Sequence, residues 1–206
     1  MPANLEAVKQ RYGSPFGVLK AIERAAAEGP GALSEDDAQM CRWVGLYPHR
    51  HEPDHFMLRT KQPNGFVTPE QLDVLAEITE KEQKGYADIT TRQNFQLHWV
   101  HVTKAHATIQ RLQAAGITTM GACGDIARNI VGCPVAGVDK REWFDASPVA
   151  LKLHELFLGN EAYANLPRKY KISVSACRIR RTAGASRGST CASAGDCPRS
   201  RSSPSG

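Results

Sequence analysis

Thr90-Thr91-Arg92-Gln93-Asn94-Phe95-Gln96-Leu97-His98 is the stretch on which the reading of this chain turns. If it is extended, residues two apart share a face. Arg92, Asn94, Gln96 and His98 then lie on one side, with Gln93, Phe95, Leu97 and Trp99 on the other. The second side is mostly apolar and suits a core. The first is a row of polar and cationic side chains with no hydrophobic purpose, which suits a polyanionic ligand.

Its surroundings give that strand a fold. Residues 55–61 read as a strand, and Pro63-Asn64-Gly65 as a turn. Thr68-Pro69-Glu70-Gln71 is a capping box with Pro at the first helical position. Leu72, Leu75, Ala76 and Ile78 then lay an apolar stripe along the helix. A short strand at 87–90 leads through the Arg92 loop to a strand at 96–102. A helix over 105–115 follows and stops at Gly116. Strand, helix, strand, strand, helix is the pattern of an α+β sandwich of the ferredoxin-like kind.

On the N-terminal side, residues 4–28 read as two helical pieces broken at Gly13-Ser14-Pro15. Ser34 before Glu35-Asp36-Asp37 caps a short helix that runs toward Trp43. A second α+β unit starts near Ile117. It holds a loop entering a helix at 121–129, a helix from Pro148 capped by Ser147 and closed by Gly159, and a strand at 171–176. The expected division is a helical segment 1–42, a half domain 43–116, a partial domain 117–177 and a tail 178–206.

The chain has 206 residues, 41% hydrophobic and 23% charged, which is ordinary for a soluble globular protein. Its net charge of +5 hints at nucleic acid until it is located. The tail carries six Arg and one Asp, so the body is neutral and no nucleic-acid partner is expected. No stretch approaches the roughly 20 apolar residues that span a membrane, and no run has the length of a signal peptide. Six cysteines are too sparse for a disulfide scaffold, so a reducing, cytoplasmic setting is expected. The tail is built from Arg, Ser, Ala, Gly, Pro, Thr and two Cys, and disorder is expected there. Cys191 and Cys197, with Cys177 upstream, read as coincidence rather than as cluster ligands. His49, His51 and His55 read as a surface loop.

Basic groups recur at loop or strand positions: Arg59 in Phe56-Met57-Leu58-Arg59, Arg92, Arg128 before Asn129, and Arg168-Lys169-Tyr170-Lys171. Each alone reads more readily as a solvated surface cation than as a ligand. Lys169 and Lys171 share a strand face, as guards of a sheet edge or as a clamp for an anion. Gly121-Ala122-Cys123-Gly124-Asp125 resembles an anion-binding turn in outline but lacks the spacing of any nucleotide fingerprint. Gly132-Cys133-Pro134 reads as a helix stop.

Taken together, residues 56–59, 87–98, 124–129 and 166–171 resemble the ferredoxin-dependent nitrite and sulfite reductases, over roughly 43–177. That resemblance implies sirohaem, a haem-like ring bearing many carboxylates, and a [4Fe-4S] cluster, with ferredoxin as electron donor and sulfite or nitrite as substrate. It implies that Arg92, Gln96, His98 and Asn129 hold the cofactor, while Arg59, Arg128, Lys169 and Lys171 grip the oxyanion. Lys at 171 favours sulfite, since nitrite reductases of the family tend to carry Asn there. The cluster cysteines of the family lie in a second half beyond this chain, so a truncated or frame-shifted product, inactive alone, is expected. Two other readings stand beside it: a nucleic-acid binder using the Arg/Ser tail, which the neutral body argues against, and a non-catalytic tetrapyrrole or anion binder.

Overall fold

A computed structural model describes residues 5–49, 51–140, 142–166 and 170–176, and the backbone of 189–193. Arg168, Lys169, Cys177 and the tail apart from 189–193 lie outside the described residues.

The sheet at the centre has four antiparallel strands: β1 (Leu46–Pro48), β2 (His55–Arg59), β3 (Ala87–Ile89) and β4 (Phe95–His101), in the order β1-β2-β4-β3. Helices α4 (Pro69–Glu82) and α5 (Val102–Ala114) complete the expected ferredoxin-like pattern. At the start of α4, Thr68 accepts from the Gln71 amide while the Gln71 side chain accepts from the Thr68 amide, so both ends of the capping box close. The N-terminal helices α1 (Leu5–Tyr12), α2 (Val18–Glu28) and α3 (Glu35–Met40) join the same core through Val8, Ile22 and Met40. Trp43, Leu46, Leu58, Leu97 and Leu112 are wholly buried in it.

Strand β1 was not legible in the sequence, because Pro48 and the histidines after it suggest a loop. Its register is nonetheless regular, with Leu46 opposite Leu58 and Pro48 opposite Phe56. Pro48 survives because it ends an edge strand, where a missing N–H costs little.

The strict alternation read into 90–98 holds only in part. Residues 90–94 form a hairpin turn, with Gln93 at φ 54. Along β4, Leu97 pairs with Leu58 and Val100 with Phe56, so His98 and Trp99 together oppose Met57. That is a β-bulge, and Trp99 at φ 56 carries the backbone distortion. Arg92 therefore belongs to a turn rather than to a strand.

The second unit consists of the loop 117–146, helix α6 (Ser147–Phe157) and strand β5 (Lys171–Ser175), whose backbone pairs in parallel with β6 (Ser189–Ser193). Two expectations fail here. No helix forms over 121–129, which is a run of turns, so no helix dipole faces that loop. Ser147 does not cap α6: Ala146 occupies the cap position, and Ser147 Oγ accepts from Asn64 Nδ2 at 2.9 Å. Gly132 is likewise not a helix stop. A side chain there would lie 1.5 Å from Asn64 Oδ1, so glycine is what lets the two units close. Among the described residues no helix is long and apolar enough to cross a membrane.

Candidate anion-binding site at the seam of the two units

Strand β2 supplies the first cation. Arg59 is the register partner of Gln96 on β4, and paired residues of an antiparallel ladder project to the same side. Both line a cavity of about 360 Å³ with Thr90, Thr91, Arg92, Asn94, Ala122, Arg128 and Lys171. Among the described residues, that lining holds four cationic side chains and no carboxylate.

The turn carrying Arg92 is fastened to the second unit from both directions. Its Nη2 donates to the carbonyls of Asn129 at 2.7 Å and Ile172 at 2.9 Å. Asn129 is wholly buried, and its Nδ2 donates back to the carbonyls of Gln62, Arg92 and Gln93. Gln93 clamps Gly132 with its amide, donating to the carbonyl at 3.2 Å and accepting from the N–H at 3.1 Å. Alternation had placed Gln93 on the core face. The positive φ of the turn sends it across the seam instead.

Arg128 is fixed by Nη1 donating to the Ala122 carbonyl at 3.0 Å, and by its own N–H donating to the Tyr170 carbonyl. Arg59 Nη1 approaches Cys123 Sγ at 3.2 Å. The loop between is set by Trp43, whose ring would meet any side chain at Gly124 and whose Nε1 donates to the Ala164 carbonyl at 2.8 Å. Lys9 Nζ reaches from α1 to Asp125 Oδ2 at 2.6 Å and to Asn165 Oδ1 at 2.9 Å.

Several donors around the cavity are buried without a partner: Arg92 Nε and Nη1, Arg59 Nε and Arg128 Nε. Burial, with Arg128 alongside, pulls the Arg92 guanidinium down to about 10. Burial likewise lowers Arg128, with Arg59 adding to the effect and Cys123 and Asp125 opposing it. Buried donors left unsatisfied and cations crowded together both carry a cost. An anion with several oxygens would remove both costs at once.

The predicted residues thus fall into groups. Arg59, Arg92, Gln96, Arg128 and Lys171 come together around one cavity. His98 shares the Gln96 face but sits further along β4, with Nε2 2.9 Å from Asp88 Oδ2 and its ring 5.4 Å from that of Trp99. Asn129 is committed to backbone carbonyls and supports Arg92 from behind. Lys169 lies outside the described residues. Thr91 and Ala122 were missed as lining residues, and Gln93 was missed as a clamp; the glycine at 132 was the available signal.

The residues fit a group rich in carboxylates, since the orphaned guanidinium donors call for oxygen acceptors. For an iron–sulfur cluster the described residues supply no ligand set: Cys41, Cys123 and Cys133 are buried free thiols, and no three His, Cys, Asp or Glu gather.

Comparison with known proteins gives these features a family context. Residues 49–115 match the nitrite/sulfite reductase ferredoxin-like half domain, and residues 123–186 match the nitrite and sulphite reductase 4Fe-4S domain. A ferredoxin–nitrite reductase of Leptolyngbya laminosa is 36% identical over 169 residues, covering 79% of this chain and 33% of that protein. Sulfite reductase [ferredoxin] 2 of Mycolicibacterium paratuberculosis is 32% identical over 192 residues, covering 84% and 35%. The solved structure of the Mycobacterium tuberculosis NirA protein superposes with a TM-score of 0.78 at 30% identity, over 85% of this chain and 36% of that one. The chain spans about a third of the length of the curated relatives it matches.

Proposed function

The chain belongs to the nitrite and sulfite reductase family, and from that premise we propose that its cavity grips a small oxyanion beside the carboxylates of sirohaem. The family is one of oxidoreductases that imply sirohaem and a [4Fe-4S] cluster. The observation that carries the proposal is the lining itself, in which the guanidinium groups of Arg59, Arg92 and Arg128 and the Lys171 ammonium share one cavity.

Sirohaem, when bound, supplies the iron through which electrons reach the oxyanion. Everything else is the work of this chain's side chains. Arg92, already spanning to two carbonyls through Nη2, keeps Nε and Nη1 for carboxylate oxygens. Gln96 adds an amide beside it, and His98 is proposed to serve the outer rim of the same cofactor. Asn129 acts one step back by holding the Arg92 turn. Arg59, Arg128 and Lys171 neutralise the oxyanion and the charge that develops as its bonds to oxygen break. Lys171, with Lys169 beside it in sequence, is the proton-bearing group among them, since an ammonium gives up a proton far more readily than a guanidinium.

Sulfite is the proposed oxyanion. A dianion gains more than a monoanion from a second ammonium, and position 171 is Lys. Nitrite is the second reading, favoured by the nitrite reductase among the relatives. Ferredoxin is the proposed donor, as the names of the relatives state for them. We also propose that grip and turnover are separable, so that this chain binds but does not by itself reduce sulfite.

Titration of the 206-residue chain with sulfite and with nitrite tests the choice. Tighter sulfite binding, reversed in Lys171→Asn, is expected; equal affinities unchanged by the substitution would remove the sulfite assignment. Sulfide formed from sulfite by the purified chain with reduced methyl viologen would overturn its inactivity.

A further inference from the structure

One buried cation lies next to the cavity without lining it. Lys61 follows Arg59 by two residues, so on an extended chain both side chains leave the same face toward the second unit. They hold the 121–128 loop at two points. Arg59 meets it at Cys123, and Lys61 Nζ donates to the Ala127 carbonyl at 3.2 Å. Lys61 is only 3% exposed, and its Nζ packs 3.4 Å from where a side chain on Gly121 would begin. Its backbone pairs with Thr118, so the residue cannot swing out to solvent.

Among the described residues, no carboxylate bonds this ammonium. The charged or titratable groups acting on it are Arg128 from the loop and His154 from α6. Asp125, the carboxylate of the loop, accepts from Lys9 on the other side. His154 has its Nδ1 buried without a partner, and burial pushes the ring down to about 4, so it stays neutral. Lys61 itself is pulled down to about 8, by burial first and by Arg128 second. The cavity shares that loop with Lys61, since its wall includes Ala122 and Arg128.

We propose that Lys61 is a proton-linked positioning residue. It takes a proton from solvent when a dianion enters the cavity and returns it when the dianion leaves. In its charged form it holds the Ala127 carbonyl, and with it the peptide that carries Arg128. The proposal rests on the anion-binding reading above and adds a regulation to it: oxyanion affinity falls as the solution becomes alkaline, through a group that never touches the ligand.

The test uses the full chain and inorganic sulfate as a probe dianion. Calorimetric titrations are run from mildly acidic to alkaline pH, in two buffers of different ionisation enthalpy. Wild-type protein is expected to take up part of a proton per sulfate near pH 8, with affinity falling about tenfold from pH 7 to pH 9. Lys61→Arg should keep the affinity and lose the proton uptake. Lys61→Met should lose both. Sulfate binding with no proton uptake, or uptake unchanged in Lys61→Met, would overturn the role of Lys61 while leaving the cavity an anion site. Failure to bind sulfate at any pH would sink the anion reading and this proposal together. A side-chain ¹⁵N titration of Lys61 in the wild-type protein needs no variant. A midpoint near 8 that rises with sulfate is expected, and an ordinary lysine midpoint with and without sulfate would refute the proposal.

Discussion

The sheet unit buries Trp43, Leu58, Leu97 and Leu112 in one cluster shared by every helix from α1 to α5. The second unit is built around a much smaller cluster of Ala127, Ile130, Ala150 and Ile172. Its outer side leaves Trp143, Phe144, Val149, Leu151 and Leu156 exposed. What ties the second unit to the first is largely directional: Arg92 and Gln93 clamped on Asn129, Ile172 and Gly132, with Asn64 bonded to Ser147. Hydrophobic packing makes the first unit stable but does not by itself aim a guanidinium. Backbone carbonyls and amides can, and the cavity lies where they do so.

The sharpest way to break the comparison is to remove a core side chain from each unit. Leu97→Ala is expected to cost about 3 to 5 kcal/mol, and Ile130→Ala nearer 2, because fewer neighbours lose contact. Urea unfolding measures both. Hydrogen exchange should show the second substitution loosening only residues after 117.

Lys61 gives the next largest effect, as a function of pH. Its folded value lies below its ordinary one, so between pH 8 and pH 10.5 the unfolded chain binds more protons. Stability should therefore rise across that window, by roughly 3 kcal/mol in all, and stay level below pH 8. Lys61→Met should be the more stable protein at pH 7 and lose its advantage by pH 10. Thermal melts of the two proteins across that range check this.

Gly132→Ala should cost about 2 kcal/mol by forcing Asn64 off Ser147. The double variant with Asn64→Ala is expected to recover part of it, since the clash disappears, and denaturant midpoints decide. The smallest effect on stability is expected from Asn129→Ala, about 1 to 2 kcal/mol for a buried donor serving three carbonyls. Anion affinity should nonetheless drop, because Arg92 loses its backing.

Most of the sheet unit was legible because its signals are local. Capping residues, the stripe from Leu72 to Ile78 and the stop at Gly116 each act within a turn or two. The gathering of Arg59, Arg92, Arg128 and Lys171 followed from a family resemblance rather than from periodicity. Strand β1 was hidden because it is three residues long and ends in Pro48, which argues for a loop. The expected helix at 121–129 and the expected cap at Ser147 fail for one reason: Asn64, Trp43 and Lys61 reach in from far along the chain and override local preference. The bulge at Trp99 is of the same kind, fixed by the register with β2.

Sirohaem binding, followed by absorbance, puts the central claim to its most direct test. The wild-type chain should bind one sirohaem saturably, and the variant combining Arg92→Lys, Gln96→Leu and His98→Leu should bind about a hundredfold more weakly. Equal affinity in the two proteins would contradict the account, because that row of side chains would then serve something other than a ring of carboxylates.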